Sequence, residues 1–333
     1  MTAQFKARLI GTGAYLPERV LTNGDLEKLV ETSDEWIVTR TGMRERRIAA
    51  DDEFSSDMGI SAAKKALEMA HFAPEKLDLI ICATQTPDYL FPSTACLIQA
   101  GLGARQAAAF DISAACSGFI FALATAKAYL SAGIYKNILV VAAEKLSSVT
   151  DYQDRSTCIL FGDGAAAALV TSEDRPGFTI GAIDLGSDGS LSDILNQPGG
   201  GCRIPASEKS VGERLHYMKM DGNKVYRHAV TQMEASCCAC LEKAGLAESD
   251  ISWLVPHQAN IRIIDTLASR FSMPRDRVFV TVHKYGNTSS SSLGIALDEL
   301  TRNTPISEGE NLLLTAFGGG LTWGSAILKK EGS

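Results

Sequence analysis

Residues 109–133 read AFDISAACSGFIFALATAKAYLSAG, and this stretch decides how the rest of the chain is organised. Its pattern predicts a short buried strand, a sharp turn through the small residues 114–118, and then a long apolar helix. Cys116 is therefore expected at the first turn of that helix, where free backbone N–H groups and the helix dipole favour the thiolate. A free cysteine is also commonly a small buried apolar residue, and position alone does not choose between these two interpretations.

The composition is that of an ordinary globular protein. The 333 residues are enough for more than one structural unit, and the net charge of −7 argues against nucleic-acid binding. The N-terminus lacks the pattern of a signal peptide, and no apolar run is long enough to span a bilayer, so no membrane partner is expected. The eight cysteines lie mostly inside apolar runs, which favours packing over a metal site and indicates a reducing cytoplasm.

The chain contains an internal repeat. Residues 65–85 lie over residues 239–259 without a gap at an offset of 174, and residues 137–143 lie over 311–317 at the same offset. The loop that holds Cys116 then has a counterpart near Asn287. The repeat predicts two similar α/β halves, residues 1–175 and 176–333, that pack with their central helices (about 117–131 and 289–300) buried between sheets. The connector 181–223 is rich in Gly, Ser and Pro and is expected to form loops over a site.

Two polar residues of the second half are candidates to work with Cys116. His257 ends an apolar run in WLVPHQANIRI, and Asn287 lies in KYGNTSSSSLG before a helix pattern. Each alone could be a local cap, but at strand ends of an α/β fold they can converge with Cys116. The three would supply a nucleophile, a proton handler and a neutral hydrogen-bond donor. The glycines at 318–320 allow close backbone approach, and an N–H there could form an oxyanion hole with the N–H of Cys116.

Four motifs carry a resemblance to a known family: DISAACSGF, VPHQANIRI, KYGNTSSSS and AFGGGLTWGS. They resemble the active-site motifs of the thiolase-superfamily condensing enzymes, and most closely those of the β-ketoacyl-acyl-carrier-protein synthase III family. The match runs in order from Gly11 to Leu328. Asn287 is unlike the second His of the elongating synthases or the second Cys of thiolases. The resemblance implies a thiolase-like duplicated fold, layered α/β/α/β/α, with two pseudo-two-fold related halves.

The resemblance also implies a chemistry. Cys116 would take the acyl group of an acyl-CoA, with the acyl oxygen held by the N–H groups of Cys116 and Gly319. Malonyl-acyl-carrier protein would then lose CO₂, and His257 and Asn287 would hold the enolate oxygen during decarboxylative Claisen condensation. Coenzyme A thioester is a substrate in this scheme, and neither a metal nor another cofactor is needed.

Further positions carry over from the family's pattern with defined roles. Trp36 and Arg155 would sandwich the adenine of coenzyme A, with Arg40 and Thr41 beside its phosphate and base. Asn223 would contact pantetheine, and Arg262 would meet the acyl-carrier protein at the tunnel mouth. Each could equally be a packed or solvated side chain.

Phe91, in YLFPSTA, corresponds to a family position that reaches across a homodimer interface to close the neighbour's acyl pocket. A bulky residue there predicts a short donor such as acetyl-CoA.

These observations favour a cytoplasmic homodimeric condensing enzyme that initiates type II fatty-acid synthesis. One alternative is a paralogous condensing enzyme or acyltransferase of secondary metabolism that uses another acyl donor or acceptor. A second alternative, from a different class, is a non-catalytic acyl-binding or scaffold protein, and the presence of all three polar residues argues against it.

Overall fold

The computed structural model describes residues 6–332. The strands of the first half are β1 (Arg8–Tyr15), β2 (Arg19–Thr22), β3 (Glu45–Ile48), β4 (Leu79–Ala83), β5 (Ala108–Ile112), β6 (Asn137–Glu144) and β7 (Gly164–Thr171). Its helices are α1 (Asn23–Leu26), α2 (Asp34–Thr41), α3 (Ser55–Met69), α4 (Thr94–Leu102), α5 (Gly118–Ser131) and α6 (Arg155–Cys158).

The second half contributes a matching series. Its strands are β8 (Gly177–Ser187), β9 (Leu195–Asn196), β10 (Lys219–Met220), β11 (Ile251–Pro256), β12 (Asn311–Gly318) and β13 (Thr322–Glu331). Its helices are α7 (Glu208–Gly212), α8 (Gly222–Ala244), α9 (Ile261–Arg270), α10 (Val282–Tyr285) and α11 (Ser291–Asn303). The first residues of β6 and β12 are 174 positions apart, and so are their last residues, which is the offset of the sequence repeat.

The sheet has the same pairing pattern in both halves. Within residues 6–332, nine strands form a mixed sheet in the order β11-β12-β13-β8-β1-β7-β6-β4-β5. β4 and β6 are parallel, and β7 is antiparallel to both β6 and β1. β11 and β12 are likewise parallel, and β13 is antiparallel to both β12 and β8. β1 meets β8 at Arg8 with Thr179 and at Leu9 with Phe178, so the sheet consists of two segments joined at a narrow seam.

Alternating side chains of the strands place each sheet segment between two layers of helices. In β6, Ile138 and Val140 pack in a core with α5 and α11, whereas Leu139 and Val141 pack in another with α3 and α4. The segment of the second half shares the same central core and packs its other face against α8 and α9. The resulting order of layers is α/β/α/β/α, which confirms the predicted duplicated α/β fold.

The two central helices begin beside one another. A Cβ on Gly118, the first residue of α5, would lie 3.2 Å from the Cβ of Ser290, which immediately precedes α11. The same Cβ would lie 2.9 Å from the Cβ of Ala83, which is closer than real Cβ atoms pack, so the glycine at 118 lets the N-termini of the two central helices lie side by side. No helix in the described part of the chain is both long and apolar enough to cross a membrane.

The prediction that residues 181–223 form a loop-rich connector is wrong for the first of these residues. Residues 181–187 belong to β8, which pairs with β13 from Gly177 to Ser187. The glycines there resemble turn residues, but Gly186 is required by packing, because a Cβ on it would lie 2.3 Å from the indole nitrogen of Trp323. Loops predominate after Ser187, around the short strands β9 and β10. The division of the chain between residues 175 and 176 stays a prediction.

Candidate active site

Cys116 lies in a single helical turn, Ala115–Ser117, between β5 and α5. Ala115 has a φ of 45°, a left-handed conformation that non-glycine residues seldom adopt. Ser117 donates to the carbonyl of Ala114 at 2.7 Å, and Thr322 from β13 donates to the same carbonyl at 2.9 Å. The second half of the chain therefore fixes the turn that presents the nucleophile, and Cys116 itself is 9% exposed.

The glycine at the end of β12 packs against the backbone of this turn. A Cβ on Gly318 would lie 2.5 Å from the backbone nitrogen of Cys116, a distance that no side chain tolerates. Gly319 follows it and lines the same cavity as Cys116. The predicted glycine motif thus serves close backbone approach, as expected from its lack of a Cβ.

His257 immediately follows β11 and is 3% exposed. Its backbone N–H donates to the carbonyl of Thr315 on β12 at 2.8 Å, and its Nδ1 lies 2.5 Å from Oγ of Ser292. Burial lowers the pKa of His257 to about 3, so the ring is neutral near pH 7. Because Nδ1 is engaged by Ser292, Nε2 is the nitrogen available to a ligand.

The sequence predicted that Asn287 lies at the end of a strand, and this prediction is wrong. Its half lacks a full counterpart of β5 in the described chain: an isolated bridge joins Leu254 to Val278, and α10 follows before Asn287. The backbone of Asn287 is instead fixed from the first half, because its N–H donates to Leu160 and its carbonyl accepts from Gly162.

The side chain of Asn287 is also oriented. Its Oδ1 accepts the backbone N–H of Ser289 at 2.8 Å. Since the oxygen is engaged in this turn, the Nδ2 group is the end that can donate to a bound substrate.

The resting state of Cys116 is a thiol. Burial raises the pKa of Cys116 to about 12, and a hydrogen bond with Ser289 lowers it by a smaller amount. Desolvation therefore outweighs the stabilisation of the thiolate that the helix start predicts. The site pairs a neutral histidine with a protonated cysteine, and the thiol must lose its proton as it attacks.

Most of the residues singled out from sequence line one cavity of about 730 Å³. Its apolar walls include Leu195, Met218 and Met220 of β9, β10 and their flanks. The predicted site residues that line it are Trp36, Arg40, Thr41, Cys116, Asn223, His257, Arg262, Asn287 and Gly319. Phe91 is not among the lining residues; it is 86% exposed on the loop before α4.

Trp36 and Arg155 contact each other directly. The guanidinium carbon of Arg155 lies 4.3 Å from the centre of the Trp36 ring, in cation–π geometry. A purine between the two would need about 7 Å, which is two van der Waals contacts of about 3.5 Å each. The exposed Arg155 side chain would therefore have to rotate before it could cover an adenine bound on Trp36.

Arg262 lies at the exposed mouth of the cavity, with its guanidinium carbon 5.3 Å from the Tyr226 ring centre. Two further basic residues of the second half form ion pairs: Arg270 with Glu234, and Arg275 with Asp265. Arg262 is thus a better candidate than Arg270 or Arg275 for contact with an acidic partner.

Sequence reasoning missed one buried acid. Glu144, at the end of β6, is fully buried and accepts the backbone N–H of Gln85 at 2.9 Å. Its other oxygen lies 2.7 Å from Oγ of Ser290. Burial raises its pKa. Glu144 joins the loop before α4 to the loop of Asn287. The signal that could have found it is its place at the end of an apolar strand, where ligands of α/β sheets bind.

Comparison with known proteins gives a consistent result. The family model described as 3-oxoacyl-[acyl-carrier-protein] synthase III matches residues 110–189, and the model of its C-terminal part matches residues 241–330. The β-ketoacyl-[acyl-carrier-protein] synthase III of Chlamydia trachomatis serovar D is 54% identical over 326 residues, which cover 98% of this chain and 99% of that protein. The chain belongs to the β-ketoacyl-acyl-carrier-protein synthase III family.

Further relatives of the synthase III family agree over the same length. The enzyme of Caldanaerobacter subterraneus subsp. tengcongensis is 50% identical over 329 residues, or 99% of each chain. The crystal structure of the enzyme from Aquifex aeolicus is 49% identical, with a TM-score of 0.89, and covers 97% of this chain and 99% of that one.

Membership of the synthase III family decides the class of activity. The protein is an acyltransferase of the condensing-enzyme type and carries out the initiating condensation of fatty-acid synthesis. The resemblance read from the four motifs is therefore confirmed, and the alternative of a secondary-metabolism paralogue is not favoured.

Proposed function

We propose that the protein condenses acetyl-CoA with malonyl-acyl-carrier protein to give a β-ketoacyl-acyl-carrier protein. The observation that carries this proposal is the convergence of Cys116, His257, Asn287 and Gly319 on one cavity. A buried thiol, a neutral imidazole, an oriented amide and a glycine backbone are what two successive acyl-transfer steps require.

In the first step, Sγ of Cys116 attacks the thioester carbon of the acyl-CoA. The S–C bond to Cys116 forms, the bond to coenzyme A breaks, and the thiol proton leaves with the coenzyme A thiolate. The N–H groups of Cys116 and Gly319 would hold the acyl oxygen, since both residues line the cavity. This arrangement stabilises the charge that develops on oxygen in the transition state.

In the second step, the malonyl group loses CO₂ and the electron pair of the broken C–C bond forms an enolate. Nε2 of His257 and Nδ2 of Asn287 would donate to the enolate oxygen. The carbanion then attacks the acyl thioester, and Cys116 leaves as the thiolate. Two neutral donors suit this role, because a carboxylate at either place would repel the developing oxyanion. The carbanion comes from decarboxylation, so the proposed reaction uses no metal or redox cofactor.

The remaining predicted residues would bind the two substrates. Trp36, Arg40, Thr41 and Asn223 lie along the cavity, where a coenzyme A chain could extend from the surface to Cys116. Arg155 would cover the adenine after its side chain rotates. Arg262, exposed at the mouth, would contact the acidic acyl-carrier protein.

The identity of the acyl donor and the oligomeric state are also part of this proposal. Tyr89, Leu90 and Phe91 form an exposed apolar tip, 60%, 86% and 86% accessible, which supports a homodimer in which Phe91 closes the partner's acyl pocket. A bulky side chain there favours acetyl over branched donors. A cytoplasmic location is our prediction, supported by the free state of all eight cysteines, each of which lies in the described chain.

A panel of acyl-CoAs tests the proposal, assayed with malonyl-acyl-carrier protein and, separately, without it. We expect radiolabelled acetyl-CoA to label wild-type protein at Cys116 and the Cys116→Ala variant not at all. Condensation should require the carrier protein and should be fastest with acetyl-CoA. A clear preference for long or branched donors would refute the role of Phe91. Labelling without condensation would favour the non-catalytic acyl-binding alternative.

A further inference from the structure

Ser292 is the one member of the serine run 289–292 whose hydroxyl contacts His257. It lies in the first turn of α11 and is 2% exposed. Its Oγ lies 2.5 Å from Nδ1 of His257 and 3.3 Å from the backbone nitrogen of Gln258. These are the partners of this oxygen within residues 6–332, so the hydroxyl hydrogen can be placed by elimination.

The backbone N–H of Gln258 can only donate, so it occupies a lone pair of the Ser292 oxygen. The single hydrogen of the hydroxyl then needs an acceptor, because a buried polar hydrogen without a partner is costly. The acceptor within reach is Nδ1 of His257. An imidazole nitrogen accepts a hydrogen bond only when it carries no proton.

The protonation of the whole ring follows from its surroundings. Burial lowers the pKa of His257 to about 3, so the ring carries one proton near neutral pH. With Nδ1 unprotonated, that proton is on Nε2. The hydrogen bond at one nitrogen thus sets the state of the other.

We infer that Ser292 is a positioning residue that holds His257 as the Nε2–H tautomer, so that Nε2 can donate to an oxyanion in the cavity. The consequence for decarboxylation rests on the proposed function, but the tautomer does not. A matching arrangement fixes the second donor, since the backbone N–H of Ser289 engages Oδ1 of Asn287 and leaves Nδ2 to donate. Two residues of the run, Ser289 through its backbone N–H and Ser292 through its hydroxyl, would therefore set the donor state of both groups.

The chain offers a matched control in Ser291. This residue is also fully buried in the same helical turn, but its hydroxyl donates to the carbonyl of Thr288 at 2.8 Å. Ser291→Ala removes a buried hydroxyl from α11 without touching the hydrogen bond of His257. Ser292→Ala removes the donor to Nδ1, and Ser292→Thr keeps it.

The direct test is the tautomer. Full-length protein labelled with ¹⁵N-histidine has five histidines, and the signal of His257 is assigned by its loss in His257→Ala. We expect wild type, Ser291→Ala and Ser292→Thr to show protonated Nε2 and bare Nδ1 near neutral pH. Ser292→Ala should show a mixture of tautomers. A wild-type ring protonated at Nδ1 would overturn the inference, and this measurement needs no variant of Ser292 to fold.

Kinetics supply the second readout. In Ser292→Ala we expect malonyl decarboxylation and condensation to fall about 10- to 10²-fold, a smaller loss than removal of an oxyanion-hole donor. In the same variant, the rate of acetyl transfer from acetyl-CoA to Cys116 should stay within about threefold of the wild-type rate. Every step in Ser291→Ala should also stay within about threefold of wild type. Ser292→Thr should restore the rate of condensation. Two results would contradict the positioning role of Ser292. The first is that Ser292→Ala slows acetyl transfer and condensation equally. The second is that Ser292→Ala condenses at the wild-type rate and keeps the wild-type tautomer of His257. If the protein proves inactive toward malonyl thioesters, the spectrum still decides the tautomer.

Discussion

Ala115 and Ser289 lie 174 residues apart and share the same unusual backbone conformation, with φ values of 45° and 50°. Each lies just before the central helix of its half, beside Cys116 and Ser290 respectively. The duplicated fold thus contains two equivalent left-handed turns. One presents the nucleophile, and the other fixes the side chain of Asn287 through the backbone N–H of Ser289. The active site is built where these two turns meet.

The approach of Gly318 to the nucleophile predicts a strong effect of a single methyl group. In Gly318→Ala the new Cβ would fall 2.5 Å from the backbone nitrogen of Cys116 and force the turn to shift. We expect acetylation of Cys116 to fall by about 10²-fold, since displacements near 1 Å have that effect on reacting groups. The rate of labelling by radioactive acetyl-CoA measures it. Gly189→Ala is the control, because a Cβ there meets nothing within 4 Å and labelling should be unchanged.

An isosteric change at Asn287 separates the two half-reactions. Asn287→Asp keeps an oxygen for the N–H of Ser289 but replaces the donor Nδ2 by a carboxylate oxygen. We expect decarboxylation of malonyl-acyl-carrier protein to fall about 10²–10³-fold, with acetyl transfer to Cys116 largely spared. Release of labelled CO₂ measures the rate of decarboxylation, and labelling of Cys116 by radioactive acetyl-CoA measures the rate of acetyl transfer. The exposed Asn303→Asp should change neither rate, and an active Asn287→Asp enzyme would rule out the donor role.

The pKa of Cys116 predicts how alkylation depends on pH. Burial raises this pKa to about 12, so the thiolate fraction increases about tenfold for each pH unit below that value. The rate of Cys116 modification by iodoacetamide should therefore rise steadily from pH 7 to pH 9. Labelling of Cys116→Ser gives the background from the exposed Cys96, Cys202 and Cys238. A plateau near pH 7 would instead mean that the start of α5 stabilises the thiolate more than burial opposes it.

The stacked pair of Trp36 and Arg155 predicts an effect on coenzyme A binding alone. Arg155→Ala should raise KM for acetyl-CoA by about tenfold with kcat retained, since a cation–π or stacking contact contributes about 1–2 kcal/mol. Steady-state kinetics with varied acetyl-CoA check this, and Arg105→Ala serves as an exposed control. A fall in kcat at unchanged KM would place Arg155 outside the nucleotide site.

The local features of the site could be predicted from sequence because each depends on a few neighbouring residues. The small residues around Cys116, the glycines at 318–320 and the 174-residue repeat are visible in the chain itself. Burial could not be read in the same way. The helix start predicted a thiolate at Cys116, but the surrounding core desolvates the sulfur and raises its pKa. The glycines of residues 181–187 likewise predict a loop rather than a strand, because the partner that requires Gly186, Trp323, lies 137 residues further along the chain.

The sequence alone determined the duplicated α/β fold, the nucleophile turn and the set of three polar residues, since periodicity, small residues and motif order are properties of the chain. Only the tertiary structure decided which atoms of those residues can act. Nδ1 of His257 is engaged by Ser292 and Oδ1 of Asn287 by Ser289, which leaves Nε2 and Nδ2 as donors. The first of these contacts joins residues 35 positions apart. The donor state of His257 therefore arises from packing of the start of α11 against the end of β11, which no local pattern specifies.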